Sequence, residues 1–184
     1  MRHLVFLLEE PSAQDALQAW VPQWLPADVQ VHYQVFQGKQ DLERSMVKRI
    51  RNWLMPDTQF IVMRDQDSGD CKAVKAKLKE LCIEAGRPDA VVRVACRELE
   101  AFFVGDWAAV AEAFERPALA RLAGKATYRN PDALGSPNQE LARYVPGYQK
   151  RDGARRIAPL VDPKRNRSLS FHALRSAVMA AGVE

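Results

Sequence analysis

Cysteine is scarce in this sequence: three in 184 residues, Cys71, Cys82 and Cys96, with no CxxC spacing. An odd number without that spacing argues against a disulfide framework and a zinc knuckle, and leaves the thiols as reduced packing residues. Long apolar runs are missing too. No stretch approaches the roughly 18 residues of a membrane-spanning helix, and the opening MRHLVFLLEE reaches Glu9 too soon for the apolar region of a signal peptide. A cytoplasmic protein with no membrane partner is the expectation. Neither GxGxxG nor GxxxxGK followed by Ser or Thr occurs, which argues against the Gly-rich loops that cradle nucleotide phosphates. No internal repeat or low-complexity tract stands out.

What is present is ordinary in amount and uneven in placement. With 47% hydrophobic and 27% charged residues, the chain suits one domain with a substantial core. Residues 1–114 hold 14 Lys and Arg against 17 Asp and Glu, a balance of −3, whereas residues 115–184 hold 13 against 6, a balance of +7. Such an asymmetry marks either a polyanion-binding arm beside an acidic site or a solubilising surface.

The first half alternates strand and helix signals. HLVFLLE, the alternating VQVHYQVF, TQFIVMRD and DAVVRVA read as four strands. Between them lie helical stretches begun by Pro11 and Ser12, by Gly38 and by Asp70. The spacing predicts an α/β fold, a mostly parallel four-stranded sheet flanked by helices. After residue 97 the pattern turns helical, then loop-rich through Pro117, Gly124, Pro131, Gly135, Pro137, Pro146 and Gly147, and closes in two further helices, the last capped by Ser168 or Ser170. A core over residues 1–114 with a basic helical extension over residues 115–184 packed on it follows.

In an open parallel sheet, ligands bind beyond the carboxyl ends of the strands. Acidic residues stand at three of those ends: Glu9 and Glu10 after the first strand, Asp65 and Asp67 after the third, Glu98 and Glu100 just beyond the fourth. Brought together without a counter-ion they would repel one another, and hard oxygen donors at that density suit Mg²⁺ or Mn²⁺. If the chain stays extended, alternation puts Asp65 and Asp67 on one side. Alone, DQDSGD reads more readily as a solvated helix-capping turn, with Asp70 as the cap. Downstream, Lys150, Arg151, Arg155 and Arg156, then Lys164, Arg165 and Arg167, form a basic segment suited to a phosphate backbone, and Tyr144, Tyr148 and His172 lie nearby for stacking or, as readily, for core packing. Lys150 heads that segment and would either stabilise charge on a phosphate or be an ordinary surface lysine. Trp20, Trp24, Phe102, Phe103 and Trp107 have core spacing, His3 and His32 read as structural, and the lysine-rich stretch from 72 to 79 as a solvated helix face.

The succession LVFLLEEPSAQDAL, FIVMRDQDSGD, CRELEAFFVGD, YQKRDGARRIAP and NRSLSF resembles, over nearly the whole chain, a family catalogued as a domain of unknown function and grouped with the Toprim superfamily, whose own likeness covers roughly residues 1–100. The resemblance implies a Toprim-like, Rossmann-like domain related to overcoming-lysogenization-defect nucleases, with Glu9, Asp65 and Asp67 binding Mg²⁺ for phosphodiester hydrolysis on DNA or RNA. Two departures stand out. Glu10 replaces the usual Gly, and Ala13 stands where those nucleases carry an acid. A second ion would need Glu98 or Glu100, and the family pattern favours Glu100. Metal held by Asp65 and Asp67 would lower the pKa of a bound water while a second, between Glu9 and Glu100, clamps the leaving oxygen; alternatively Glu9 is a general base beside one ion. The resemblance further implies a separately encoded ABC- or SMC-type ATPase partner in a phage-defence or DNA-processing setting, and leaves room for a homodimer. A receiver-type phosphoacceptor site and a non-catalytic docking module are the competing classes.

Overall fold

The computed structural model describes residues 2–182. Four parallel strands, β1 (Arg2–Leu8), β2 (Val29–Val35), β3 (Thr58–Asp65) and β4 (Val91–Ala95), form one sheet in the order β2-β1-β3-β4. The sheet is wholly parallel, with helices on both faces in a Rossmann-like arrangement. The central strands β1 and β3 must therefore be apolar on both sides. Leu4, Phe6, Leu8, Ile61 and Met63 point to one face, and Val5, Leu7, Phe60 and Val62 to the other.

Helices α2 (Lys39–Arg51) and α3 (Cys71–Glu84) cover the second face, through Leu42, Met46 and Ile50 and through Leu78 and Cys82. Asp70 caps α3 by accepting from Ala73 N at 2.8 Å. The first face is covered by α1 (Pro11–Trp24), which opens on Pro11, and by everything that follows β4. That region comprises α4 (Glu100–Val104), α5 (Trp107–Ala113), three short 3₁₀ turns between Pro117 and Ala133, α6 (Pro137–Tyr144), α7 (Lys150–Ile157) and α8 (Leu169–Ala181). One hydrophobic cluster runs from Leu4 through Trp20, Phe102 and Trp107 to Phe171 and Val178, so the C-terminal helices and the sheet share a core. Trp20 packs against Trp24, Phe102, Phe103 and Phe171, and its indole N–H donates to Ala158 O at 2.8 Å.

The first of the two closing helices stops at Ile157 and continues as a 3₁₀ turn, because Pro159 has no N–H to extend the ladder. Ser168 caps α8, accepting from Phe171 N at 3.1 Å. His3 and His32 lie ring to ring, Nδ1 to Nε2 at 3.1 Å, within the sheet. No described helix is long and apolar enough to cross a membrane.

Candidate functional site

The carboxyl ends of β1 and β3, the turn after β4 and the start of α7 converge on one group of acids. Glu9 follows β1 directly and is almost fully buried; its Oε2 accepts from the backbone N–H of Asp65 at 3.0 Å. Asp65 ends β3 and is equally buried, and Glu100, the first residue of α4, is completely so. Glu10 stands at the N-cap of α1 and receives Lys150 Nζ at 3.1 and 3.3 Å and Ser12 Oγ at 3.3 Å. The Tyr148 hydroxyl donates to Glu100 Oε1 at 3.4 Å, while Glu100 Oε2 is buried without a hydrogen-bond partner.

This setting pushes the acids toward their neutral forms. Burial, then the negative charges of Glu100, Glu10 and Glu9, raises Asp65 well above the ordinary carboxylate range, against the pull of Lys150. Burial likewise raises Glu9, partly offset by the Asp65 N–H, and carries Glu100 up to about 7. Burial works against the Lys150 ammonium, but Glu100 and Glu10 outweigh it and hold its pKa above normal. The Tyr148 phenol is raised by burial and then by Glu100.

The other sequence-predicted residues are placed differently. Asp67 does not continue the strand. Its φ of +55° turns the chain into the left-handed region, which Asp tolerates, so the alternation that would have aligned it with Asp65 is broken. Its carboxylate pairs with Lys39 at 3.2 Å at the rim, still close enough to Glu9 to help raise that group. Glu98 turns toward α6, where Oε2 accepts from Asn138 N at 2.7 Å and from Ser136 Oγ at 3.4 Å.

Most of the basic segment is engaged inside the molecule. Arg151 and Arg155 both bind the buried Asp15 of α1, at 2.7 and 3.1 Å. Arg156 donates to Ala113 O and lies over the Phe114 ring. Arg165 grips Asp106, the cap of α5, and Arg167 donates to Ala123 O. Lys164 is exposed, and its backbone N–H donates to Asp162. Tyr144 packs edge-on against Trp107, and His172 Nε2 meets Asn166 O at 2.7 Å, so neither is presented for base stacking.

One contributor escaped the sequence reading: Arg64, buried, bridges Glu43 at 2.5 Å and approaches Glu9 at 3.8 Å. Tyr148, expected to stack on bases or pack on the core, packs on the core and reaches Glu100. Only the strand-end position of Arg64 hinted at its role. As the side chains stand, no three His, Cys, Asp or Glu groups among the described residues form a ready ion cage. The cavity bordered by Glu9, Glu10, Ser12 and Asp65 measures about 10 Å³, roughly one water-sized sphere. The acids along this edge are all oxygen donors, the type that hard cations take, held protonation-prone by burial and mutual repulsion, and Glu100 Oε2 lacks any partner.

The sequence model of a family described as "Domain of unknown function (DUF4276)" matches residues 8–178. No curated protein and no solved structure matches the chain.

Proposed function

The chain belongs to the DUF4276 family, and we propose that it is a Mg²⁺- or Mn²⁺-dependent nuclease component whose site is the buried acid cluster at the carboxyl edge of the sheet. The observation that carries this reading is Glu100: wholly buried, one oxygen unpartnered, its pKa near 7, and surrounded by the fields of Asp65, Glu10 and Lys150. Like charges in a dry site are costly unless a cation or a proton relieves them. The positions of Glu9 and Asp65 after β1 and β3 are those that resemble the Toprim arrangement, which is why hydrolysis of a phosphodiester is favoured over other metal chemistry.

Glu9, Asp65 and Glu100 would hold the ion, and Asp67 at the rim would add a longer-range charge. When bound, the ion would polarise a phosphate oxygen and lower the pKa of a water. The chain's own residues do the rest. The Asp65 N–H and Arg64 orient Glu9. Glu100, raised toward neutrality by burial, would give up its proton as it took its place around the ion. Lys150, now on Glu10 and within the field of Glu100 and Asp65, would meet charge developing on the phosphate.

The test is cleavage of supercoiled plasmid and of labelled single-stranded DNA and RNA in Mg²⁺ and in Mn²⁺. Wild type is expected to cleave at least one substrate, and Asp65→Asn and Glu100→Gln to lose cleavage while remaining folded. Equal nicking by wild type and Asp65→Asn overturns the assignment.

A second reading, a non-catalytic module docking on another chain such as an ABC- or SMC-type ATPase, draws on one observation: Arg151, Arg155, Arg156, Arg165 and Arg167 are already engaged within the molecule. Metal-independent absence of both cleavage and polynucleotide binding would favour it.

A further inference from the structure

The two edges of the sheet are finished differently. β4 is closed off: Arg93 Nε donates to Ala173 O of α8 and its Nη1 to Val92 O, while Lys79 takes Ala90 O. β2 has no such guard. It pairs with β1 alone, in an unbroken register from Arg2 with Val29 to Leu8 with Val35. Its sequence, VQVHYQV, holds no Lys, Arg, Asp, Glu or Pro, the residues that ordinarily blunt an edge. Phe36 N donates to Leu8 O, so along this parallel pair the even-numbered residues turn their backbone groups toward β1. Val31, Tyr33 and Val35 turn theirs outward, and no hydrogen bond from another segment reaches those groups among the described residues.

A strand of this sequence is its own complement. About a two-fold axis through His32, the midpoint of β2, an antiparallel copy sets Val31 against Tyr33 of the second chain and Gln30 against Gln34, each pair occurring twice. The outward groups of Val31 and Tyr33 then fall opposite one another and exchange hydrogen bonds, as an antiparallel ladder requires. A β-branched residue across from an aromatic one is a favourable pair. Gln34 Oε1 is buried without a donor in the single chain, and Gln30, which is exposed, brings its amide N–H groups to that side from the second copy. His32 meets its own counterpart at the axis. Burial, then His3, holds its pKa below the ordinary 6.5, so the two imidazoles meet uncharged at neutral pH.

We propose that two copies of this chain associate through β2, the strands running antiparallel across a two-fold axis at His32 to make one eight-stranded sheet. Antiparallel joining of two parallel sheets sets their carboxyl ends on opposite sides, so the two acid clusters open in opposite directions. The association depends on the edge alone and not on the nuclease reading.

Sedimentation equilibrium of the full chain is expected to show a mass that rises with concentration from 20.8 kDa toward twice that value. Over the same range the Val31 and Tyr33 amides should exchange hydrogen more slowly, by about tenfold or more. Val31→Pro removes an outward donor and no bond to β1, so it should keep the circular dichroism of the wild type and stay monomeric. His32→Cys places its thiol where the Cα atoms of a non-hydrogen-bonded pair lie about 4.5 Å apart, within disulfide range. On mild oxidation it should cross-link two chains, whereas Gln30→Cys and the wild type, with its own three cysteines, should not. Four results would overturn the proposal: a wild type monomeric at every concentration, a dimer that Val31→Pro leaves intact, a dimer whose Val31 and Tyr33 amides exchange as fast as in the monomer, or cross-linking of Gln30→Cys as ready as that of His32→Cys. Should Val31→Pro fail to fold, amide protection in the wild type decides.

Discussion

Tyr148 and Glu100 meet through one hydrogen bond of 3.4 Å, from the phenol to Oε1, and leave Oε2 of the same carboxylate buried with no donor. A carboxylate in that position is better off protonated, which is why its pKa rises from the ordinary 4.5 to about 7. A raised carboxylate pKa means that the folded state binds more protons than the unfolded chain between about pH 4.5 and pH 7, so stability falls as pH rises through that window and levels off above it. Glu100→Gln removes the titration. In chelator-treated protein it is expected to be more stable than wild type at pH 8, by up to about 3 kcal/mol, and nearly equal to it at pH 5. Urea unfolding at the two pH values checks this; a variant less stable than wild type at pH 8 contradicts it.

Divalent ions should act in the opposite sense. An ion held by Glu9, Asp65 and Glu100 binds only the folded state, and at a hundredfold excess over its Kd adds about 2.7 kcal/mol. Wild type is therefore expected to melt higher in Mg²⁺ or Mn²⁺, and Asp65→Asn to show little or no such rise. A wild-type melting temperature indifferent to both ions would remove the cation from the site.

The parts of this architecture that were readable in advance are those set by local chemistry. Strand periodicity in Val29–Val35, the two-sided apolar run of β3 and the Asp70 cap each follow from residues within a few positions of one another. The strand-end positions of Glu9 and Asp65, and that of Glu100 shortly after β4, were readable for the same reason. Their company was not. Lys150 meets Glu10 across 140 positions and Glu98 meets Asn138 across 40, and no local signal announces such a pairing. Whether the chain stays extended through Asp67 was not readable either: the left-handed backbone there breaks the alternation that would have aligned it with Asp65.

The basic segment offers a sharper test of what its arginines are for. Burial works against the Asp15 carboxylate, but Arg151 and Arg155 outweigh it and hold its pKa below the ordinary 3.8. A lowered carboxylate pKa contributes stability that is present above that value and is lost as pH falls through the folded one. With the guanidinium groups more than half exposed, Asp15→Asn is expected to cost about 1–2 kcal/mol at pH 7 and progressively less below pH 4. Arg155→Glu/Arg156→Glu should lower the melting temperature as well as any affinity for polynucleotide, with a flatter salt dependence. Weaker binding with an unchanged melting temperature would show that the contact with Asp15 contributes nothing in solution.

Gly153 lies in the first turns of α7 and has no side chain for a reason that can be measured. A Cβ there would sit 2.2 Å from Tyr148 Cε2 and 2.6 Å from Cζ, so any larger residue must displace the ring that reaches Glu100. Gly153→Ala trades the higher helix propensity of Ala for that overlap, and the overlap prevails: a loss of about 1–3 kcal/mol is expected. Tyr148→Phe keeps the ring and removes only the donor, at about 1 kcal/mol. The ranking separates packing from hydrogen bonding. If Tyr148→Phe proves the more damaging of the two in thermal unfolding, the phenol's bond to Glu100, rather than the seat that Gly153 gives the ring, is what holds the start of α7 against the acid cluster.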